Sequence, residues 1–275
     1  MLDLLRAYFR AMHEFRDYSP KKVSTGSVSE WLDPWGKGDR ALILKLLRHV
    51  KYVTASQFRH ALISQNKALL DHLRRSEVPA KKVIYVSIHD AGSSSPAVLN
   101  ELRDRAQLVQ RGCSFVDGHN IEGISRTTEK LEDGAIVYVD DFLASGNQLL
   151  GERNRIAEYI IGSFSEFALA VCVCEEAVAS LGRVGVETRS QYVHSRAERP
   201  LHDCSTILGA DEKARLIEIC TQIDKRAPLG YEAMATMYIL HRNAPNTVPR
   251  VLRGSTRQSP RIGLFPRSDD LPVDN

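Results

Sequence analysis

Ile136-Val137-Tyr138-Val139-Asp140-Asp141-Phe142-Leu143-Ala144-Ser145-Gly146-Asn147-Gln148 decides how this chain folds. The apolar run Ile136 to Val139 is too short for a helix and rich in β-branched residues, so it reads as a buried parallel strand. Asp140 and Asp141 stand where that strand is expected to end. In open α/β sheets, ligands bind at the carboxyl ends of the strands. Ala144 to Gln148 is small and polar and opens a helical pattern. A helix N-terminus with free N–H groups suits a phosphate. One short segment therefore offers two carboxylates for hydroxyls and a cradle for a phosphate, the two features a ribose 5-phosphate presents. An acidic turn after an ordinary strand is the bland alternative, but strand, acids, glycine and helix all fall in register.

Working outward, the period favours alternating strands and helices from about Lys81. Val83 to Ile88 reads as a strand, followed by a helix with Ser95 as cap and Pro96 at its first position. Ser114 to Val116 is a short strand, and Leu149 to Ile160 is the helix after the acids. Phe167 to Cys174 is a strand and Glu175 to Leu181 a helix. Val186 to Val193 is a strand, Asp211 to Ile223 is amphipathic, and Met234 to Leu240 reads as a last strand. Such alternation means a parallel sheet.

Before Lys81 the pattern is helical. Leu5, Tyr8, Phe9 and Met12 recur at helical spacing, as do Leu42, Leu46, Leu47 and Val50. Asp17 to Gly38 reads as a loop holding Trp31 and Trp35, which should pin this region to the core. Thr54 and Gln57 form a capping box for a helix burying Phe58, Leu62, Leu69 and Leu73. The short Lys51-Tyr52-Val53 link leaves a helix-turn-helix open, though such pairs are mostly plain packing. The expected organisation is a helical subdomain over 1–80, an α/β domain over 81–252 and an extended polar arm over 253–275. Within the arm, Leu264 and Phe265 are candidates to dock back.

Composition is that of an ordinary globular enzyme: 275 residues, 43% hydrophobic and 26% charged. A net charge of +3 is too small to argue for nucleic acid. Five widely spaced cysteines read as reduced thiols of a cytoplasmic protein. Cys172 and Cys174 lack a partner motif for a metal site. No apolar run suits a membrane span, and Met1 to Phe15 is too charged for a signal peptide.

The stretch Ile136 to Gln148 resembles the phosphoribosyltransferase signature: four hydrophobics, two acids, two residues, then small and hydroxyl residues around a glycine. Ala144 and Gln148 depart from the threonines common there. The resemblance implies a doubly wound parallel α/β sheet of the phosphoribosyltransferase type with phosphoribosyl pyrophosphate (PRPP) and Mg²⁺ as ligands. It implies that Asp140 and Asp141 face the ribose hydroxyls and the metal, as catalytic residues. Ser145, Gly146, Asn147 and Gln148 would wrap the 5-phosphate. The corresponding pyrophosphate loop would be Asp90, Ala91, Gly92, Ser93 and Ser94, a Ser-rich strand end without a cation of its own. Gly118 to Lys130 would be a mobile hood whose Arg126 or Lys130 meets the pyrophosphate charge, with His119 as a proton shuttle. The Asn243 to Pro249 stretch, the Leu264-Phe265-Pro266-Arg267 tail and the Trp-containing N-terminal region are similar to a divergent group associated with bacterial anti-phage defence modules, including retrons.

The expected function is thus a phosphoribosyltransferase-like enzyme that transfers to, or cleaves, an N-glycosidic bond, as an effector of a bacterial anti-phage defence system. The alternative is an inactive module that senses a nucleotide and signals to a protein or nucleic-acid partner; the missing cation of the pyrophosphate loop favours it. His194, Ser195 and Arg196, and His241, Arg242 and Asn243, follow later strands and are candidates for an acceptor pocket. A phosphatase or phosphorelay aspartate at Asp140 fits poorly, because adjacent acids are not its usual spacing.

Overall fold

The computed structural model describes residues 2–88, 94–254, 263–268 and 271, with residue 94 described by its backbone alone. The elements run α1 (Leu2–His13), α2 (Thr25–Leu32), α3 (Lys37–Leu47), β1 (Lys51–Val53), α4 (Ala55–Arg75), β2 (Val83–Ser87) and α5 (Ser94–Arg105). They continue as β3 (Ser114–Asp117), α6 (Ile121–Leu131), β4 (Asp133–Leu143), α7 (Asn147–Ala157), β5 (Ser163–Cys174), α8 (Glu175–Gly182) and β6 (Val186–His194). The chain ends with α9 (Ala210–Ile223), β7 (Tyr238–Leu240) and α10 (Arg250–Arg253). Two units separate by packing: Arg59–Val193, and Met1–Phe58 joined with His194–Asn275.

The unit Arg59–Val193 is built on a five-stranded sheet in the order β3-β2-β4-β5-β6. The pairs β2–β3, β2–β4 and β4–β5 are parallel. Ile84, Val86, Ile136, Tyr138, Ala168 and Ala170 cover one face, together with Ile124 of α6, Leu149 and Ile156 of α7 and Ala177 and Leu181 of α8. Tyr85 points the other way, where its hydroxyl donates to Asn66 of α4 at 2.6 Å. Helices on both faces of a parallel sheet make the doubly wound α/β fold expected from the sequence. The central strands are buried on both sides, which is why they read as unbroken apolar runs. The chain steps from β2 outward to β3, then back past β2 to β4. The strand order therefore reverses between β2 and β4, and the crevice of a doubly wound sheet opens at such a point.

The second unit has its own core, from Ala7 and Phe15 through Ile43, Leu46, Leu216 and Ile239 to Phe265. Three expectations change here. The Lys51-Tyr52-Val53 link is a strand, β1, paired in parallel with β7, so the preceding and following helices do not form a helix-turn-helix. The last strand keeps only three residues and belongs to this small sheet rather than the large one. The Ser-rich region after Asp17 contains the helix α2, capped by Ser24 with Ser27 answering at the third helical position. Trp31 and Trp35 are buried, and the Trp31 indole donates to Val251 O at 2.7 Å. Leu264 and Phe265 do dock back: both are buried, and the Phe265 ring meets Phe15 and Tyr18 edge-on.

Candidate functional site at the strand reversal

β4 outruns its neighbour. Its last pair with β2 is Ser87–Val139, yet its pairing with β5 continues through Asp140–Ala170 to Leu143–Val173. The expected strand, Ile136 to Val139, therefore extends through both acids. Asp140 and Asp141 lie on a stretch held on the β5 side and released on the β2 side, at the reversal point. They are 4% and 8% exposed, and the Asp141 amide donates to Asp140 Oδ1 at 2.8 Å. Carboxylates that deep in a protein are costly unless charge or hydrogen bonds meet them.

After Leu143 the chain turns through Ala144, Ser145 and Gly146 into α7. Gly146 is the N-cap and adopts the left-handed conformation, φ 82° and ψ −6°. A Cβ there would lie 2.7 Å from Ser180 Oγ and 3.3 Å from Ala177 Cα. Glycine is thus required twice, by its dihedral and by the close approach of α8. The Ser145 hydroxyl accepts the Asn147 amide at 3.3 Å, and the Ser145 carbonyl accepts from Ser180 Oγ at 2.7 Å. Asn147 and Gln148 are exposed at the first turn of α7. No side-chain cap bond is made to this helix end by Gly146, and the first amides of a helix lack intrahelical acceptors. Further along α7, Arg153 forms a two-pronged bond with Glu166 of β5, at 2.9 and 2.6 Å. Tyr138 donates to the same carboxylate at 2.7 Å. Burial, reinforced by Glu166, drives the Tyr138 phenol far above its ordinary pKa, so it stays a neutral donor. This network ties the middle of α7 to the sheet.

The other expected site residues fall out as follows. Asp90, Ala91, Gly92, Ser93 and the side chain of Ser94 lie outside the described residues. Ser95 lies within α5 rather than at its cap; its hydroxyl accepts the Ile88 amide at 3.0 Å and donates to Val139 O at 2.6 Å. The stretch expected to form a mobile hood is mostly the helix α6, capped by Asn120, with Ile124 and Thr128 buried. Arg126 and Lys130 lie on the exposed side of α6, and His119 stands beside Asp117. His194, Ser195, Arg196, His241, Arg242 and Asn243 belong to the other unit. Two residues with a part in the geometry were not read from the sequence: Ser95 as a link between strands, and Ser180 beneath the turn. A lone serine on an otherwise apolar face of α8, among Ala177 and Leu181, was the available signal for the second.

Among the described residues no group of three or more His, Cys, Asp or Glu side chains is arranged to hold a metal. Two adjacent carboxylates fit a different mode, in which Mg²⁺ takes one or two carboxylates and completes its shell with ligand phosphates and water. No helix among the described residues is long and apolar enough to cross a membrane.

The PRTase-CE family model matches residues 28–267, which includes the whole five-stranded sheet and the strand reversal. The chain belongs to the PRTase-CE family. The matched span contains the end of β4, whose acids and following turn resemble the phosphoribosyltransferase signature. Comparison with curated proteins gave no match. Among solved structures, orotate phosphoribosyltransferase from Aeropyrum pernix shares 18% identity over 46% of this chain and 67% of its own, with a TM-score of 0.32. Hypoxanthine-guanine phosphoribosyltransferase from Schistosoma mansoni, in complex with IMP, shares 12% over 53% and 68%, with a TM-score of 0.35. A hypothetical protein from Neisseria gonorrhoeae with bound ppGpp shares 16% over 62% and 97%, with a TM-score of 0.34. At these scores they add nothing to what the strand order of this PRTase-CE protein already shows.

Proposed function

We propose that this PRTase-CE protein is a phosphoribosyltransferase-like enzyme that acts on PRPP or a related ribosyl phosphate with Mg²⁺. The observation that carries the reading is the end of β4: two buried carboxylates, released from β2 and followed directly by the left-handed Gly146 turn into α7. Asp140 and Asp141 accept hydrogen bonds from the ribose hydroxyls. The amides from Ser145 to Gln148, aided by the helix end, receive the 5-phosphate. Asp140 and Asp141 would also be the residues to hold Mg²⁺, which would supply positive charge to offset that of a leaving pyrophosphate. The chain's own share is to orient the ribose and to present fixed donors to the phosphate before reaction. The role as an anti-phage defence effector rests on the resemblance of the Asn243 to Pro249 stretch and the tail that includes Leu264 and Phe265.

One observation favours a second reading, a nucleotide-sensing module without turnover. Where an enzyme would carry a closing hood, this chain has the packed helix α6, and closure over the reacting groups is what such hoods supply. A calorimetric titration with PRPP and Mg²⁺, followed by an assay for released pyrophosphate, separates the readings. Binding with release supports the enzyme; binding without release supports the sensor. Absence of any binding removes both.

A further inference from the structure

Two buried serines stand behind the two halves of the site, and each makes a bond that no ligand would interrupt. Ser95 is fully buried. Beyond the Ser87–Val139 pair, β2 and β4 part, and the Ser95 hydroxyl bridges the opening. It accepts from Ile88 N–H at 3.0 Å and donates to Val139 O at 2.6 Å. The Val139 carbonyl shares a rigid peptide plane with the Asp140 amide. Fixing that plane anchors Asp140 N and Cα and so limits the directions in which its side chain can leave the strand, while the Asp141 amide donates to Asp140 Oδ1. Ser180, 9% exposed, does the equivalent work on the other half. It donates to Ser145 O at 2.7 Å, with a longer contact to Ala177 O in its own helix at 3.2 Å. Its oxygen occupies the space that a Cβ on Gly146 would need. It therefore fixes the peptide that leads into the first turn of α7.

We infer that Ser95 and Ser180 are positioning residues with separable effects: Ser95 aligns the carboxylate pair on ribose hydroxyls, and Ser180 aligns the backbone cradle on the 5-phosphate. The inference rests on the ribosyl phosphate reading given above. Among the described residues neither serine's bonds link the two halves, so each substitution should mark one half of the ligand.

Calorimetry with ribose 5-phosphate and with inorganic phosphate, on the full chain, tests it. Ser95→Ala is expected to weaken ribose 5-phosphate about ten-fold, the size of one misplaced hydrogen bond, and to leave inorganic phosphate unchanged. Ser180→Ala is expected to weaken both ligands by about the same factor, since both use the cradle. If Ser95→Ala does not fold, Ser95→Cys keeps the size with a weaker donor, and must show the same selectivity with a smaller factor. A Ser95 variant that weakens both ligands equally, or neither, overturns the inference while leaving the ribosyl phosphate reading in place. Wild-type protein that binds neither ligand overturns that reading, and this inference with it.

Discussion

Two strand ends in this molecule bury ionisable groups, and they do so in different surroundings. In the unit that contains β7, His194 is fully buried. Its Nε2 accepts the Met237 amide at 3.1 Å, its Nδ1 faces Glu198 at 3.4 Å, and its ring meets Tyr238 edge-on. Burial, with the Arg199 charge behind it, lowers its pKa to about 4. On Glu198, burial works upward but is outweighed by Lys51, the Ser195 amide and His194, which hold it at about 2. Both ring nitrogens are thus spent on the chain, and the histidine reads as structural. Asp140 and Asp141 are nearly as deep, but they lie at the reversal of strand order, on a strand segment that has parted from β2, ahead of a left-handed turn. Burial of a titratable group is by itself no sign of a ligand site; its place in the topology is the feature on which the proposal for Asp140 and Asp141 rests.

The comparison can be broken at either end. Asp140→Asn combined with Asp141→Asn should abolish activity and ribosyl phosphate binding while the melting temperature stays near wild type. Each charge-assisted contact is worth roughly 1.5–3 kcal/mol, so losing two spans several decades in affinity or rate. A folded double variant with unchanged activity would remove the acids from the site. At the other end, His194 should govern stability and not ligand binding. Its folded pKa is depressed from 6.5 to about 4, so between those values the unfolded chain takes up a proton that the folded chain refuses. Its contribution is complete above pH 6.5 and is lost as the pH falls towards 4, by about 3 kcal/mol. Urea unfolding across this range should show that loss in wild type and a flatter profile in His194→Gln. Parallel profiles would show that His194 does not carry the effect.

Smaller effects sharpen the contrast. Gly146→Val forces a β-branched residue to φ 82° against Ser180. The strain costs on the order of 1–3 kcal/mol, and protection by phosphate ligands should fall with it; full protection in the variant would place the phosphate elsewhere. The smallest change is expected from Arg126→Ala with Lys130→Ala, on the exposed side of α6. Stability should stay within about 0.5 kcal/mol of wild type, and ribose 5-phosphate binding should hold. A large fall in pyrophosphate release would then identify those cations as the partner of the leaving group, whereas undiminished release would reduce them to a solvated helix face.

What the sequence revealed and what it hid follow from the range of the interactions. Strand β4, its acids and the turn after them were legible because a short apolar run, two charges and a glycine are local signals. Its extra length to Leu143 was not, since that comes from pairing with β5. The capping box at Thr54 and Gln57 formed as read, with the Gln57 amide on Thr54 Oγ1 at 3.3 Å and the Thr54 amide on Gln57 Oε1 at 3.0 Å. The periodicity of α1 identified the helix but not its buried side. Ala7 and Ala11 face the core, while Leu5, Phe9 and Met12 are more than half exposed, because small residues let the helix approach closely. Strand β1 hid inside a three-residue link whose partner lies far along the chain. The change of period at Lys81 marks where the strands of the five-stranded sheet begin, whereas the packing joins residues 1–58 with 194–275, which no local period reports. Ser95 and Ser180 were obscure for the same reason, their bonds spanning 44 and 35 residues.

Thermal unfolding of the wild-type protein with ribose 5-phosphate and, separately, with ribose tests the central claim most directly. A ligand that binds only the folded chain raises its melting temperature by mass action. If the end of β4 and the first turn of α7 together form a ribosyl phosphate site, ribose 5-phosphate raises the melting temperature and ribose at the same concentration does not. Equal protection by ribose, or no shift with either compound, would contradict it.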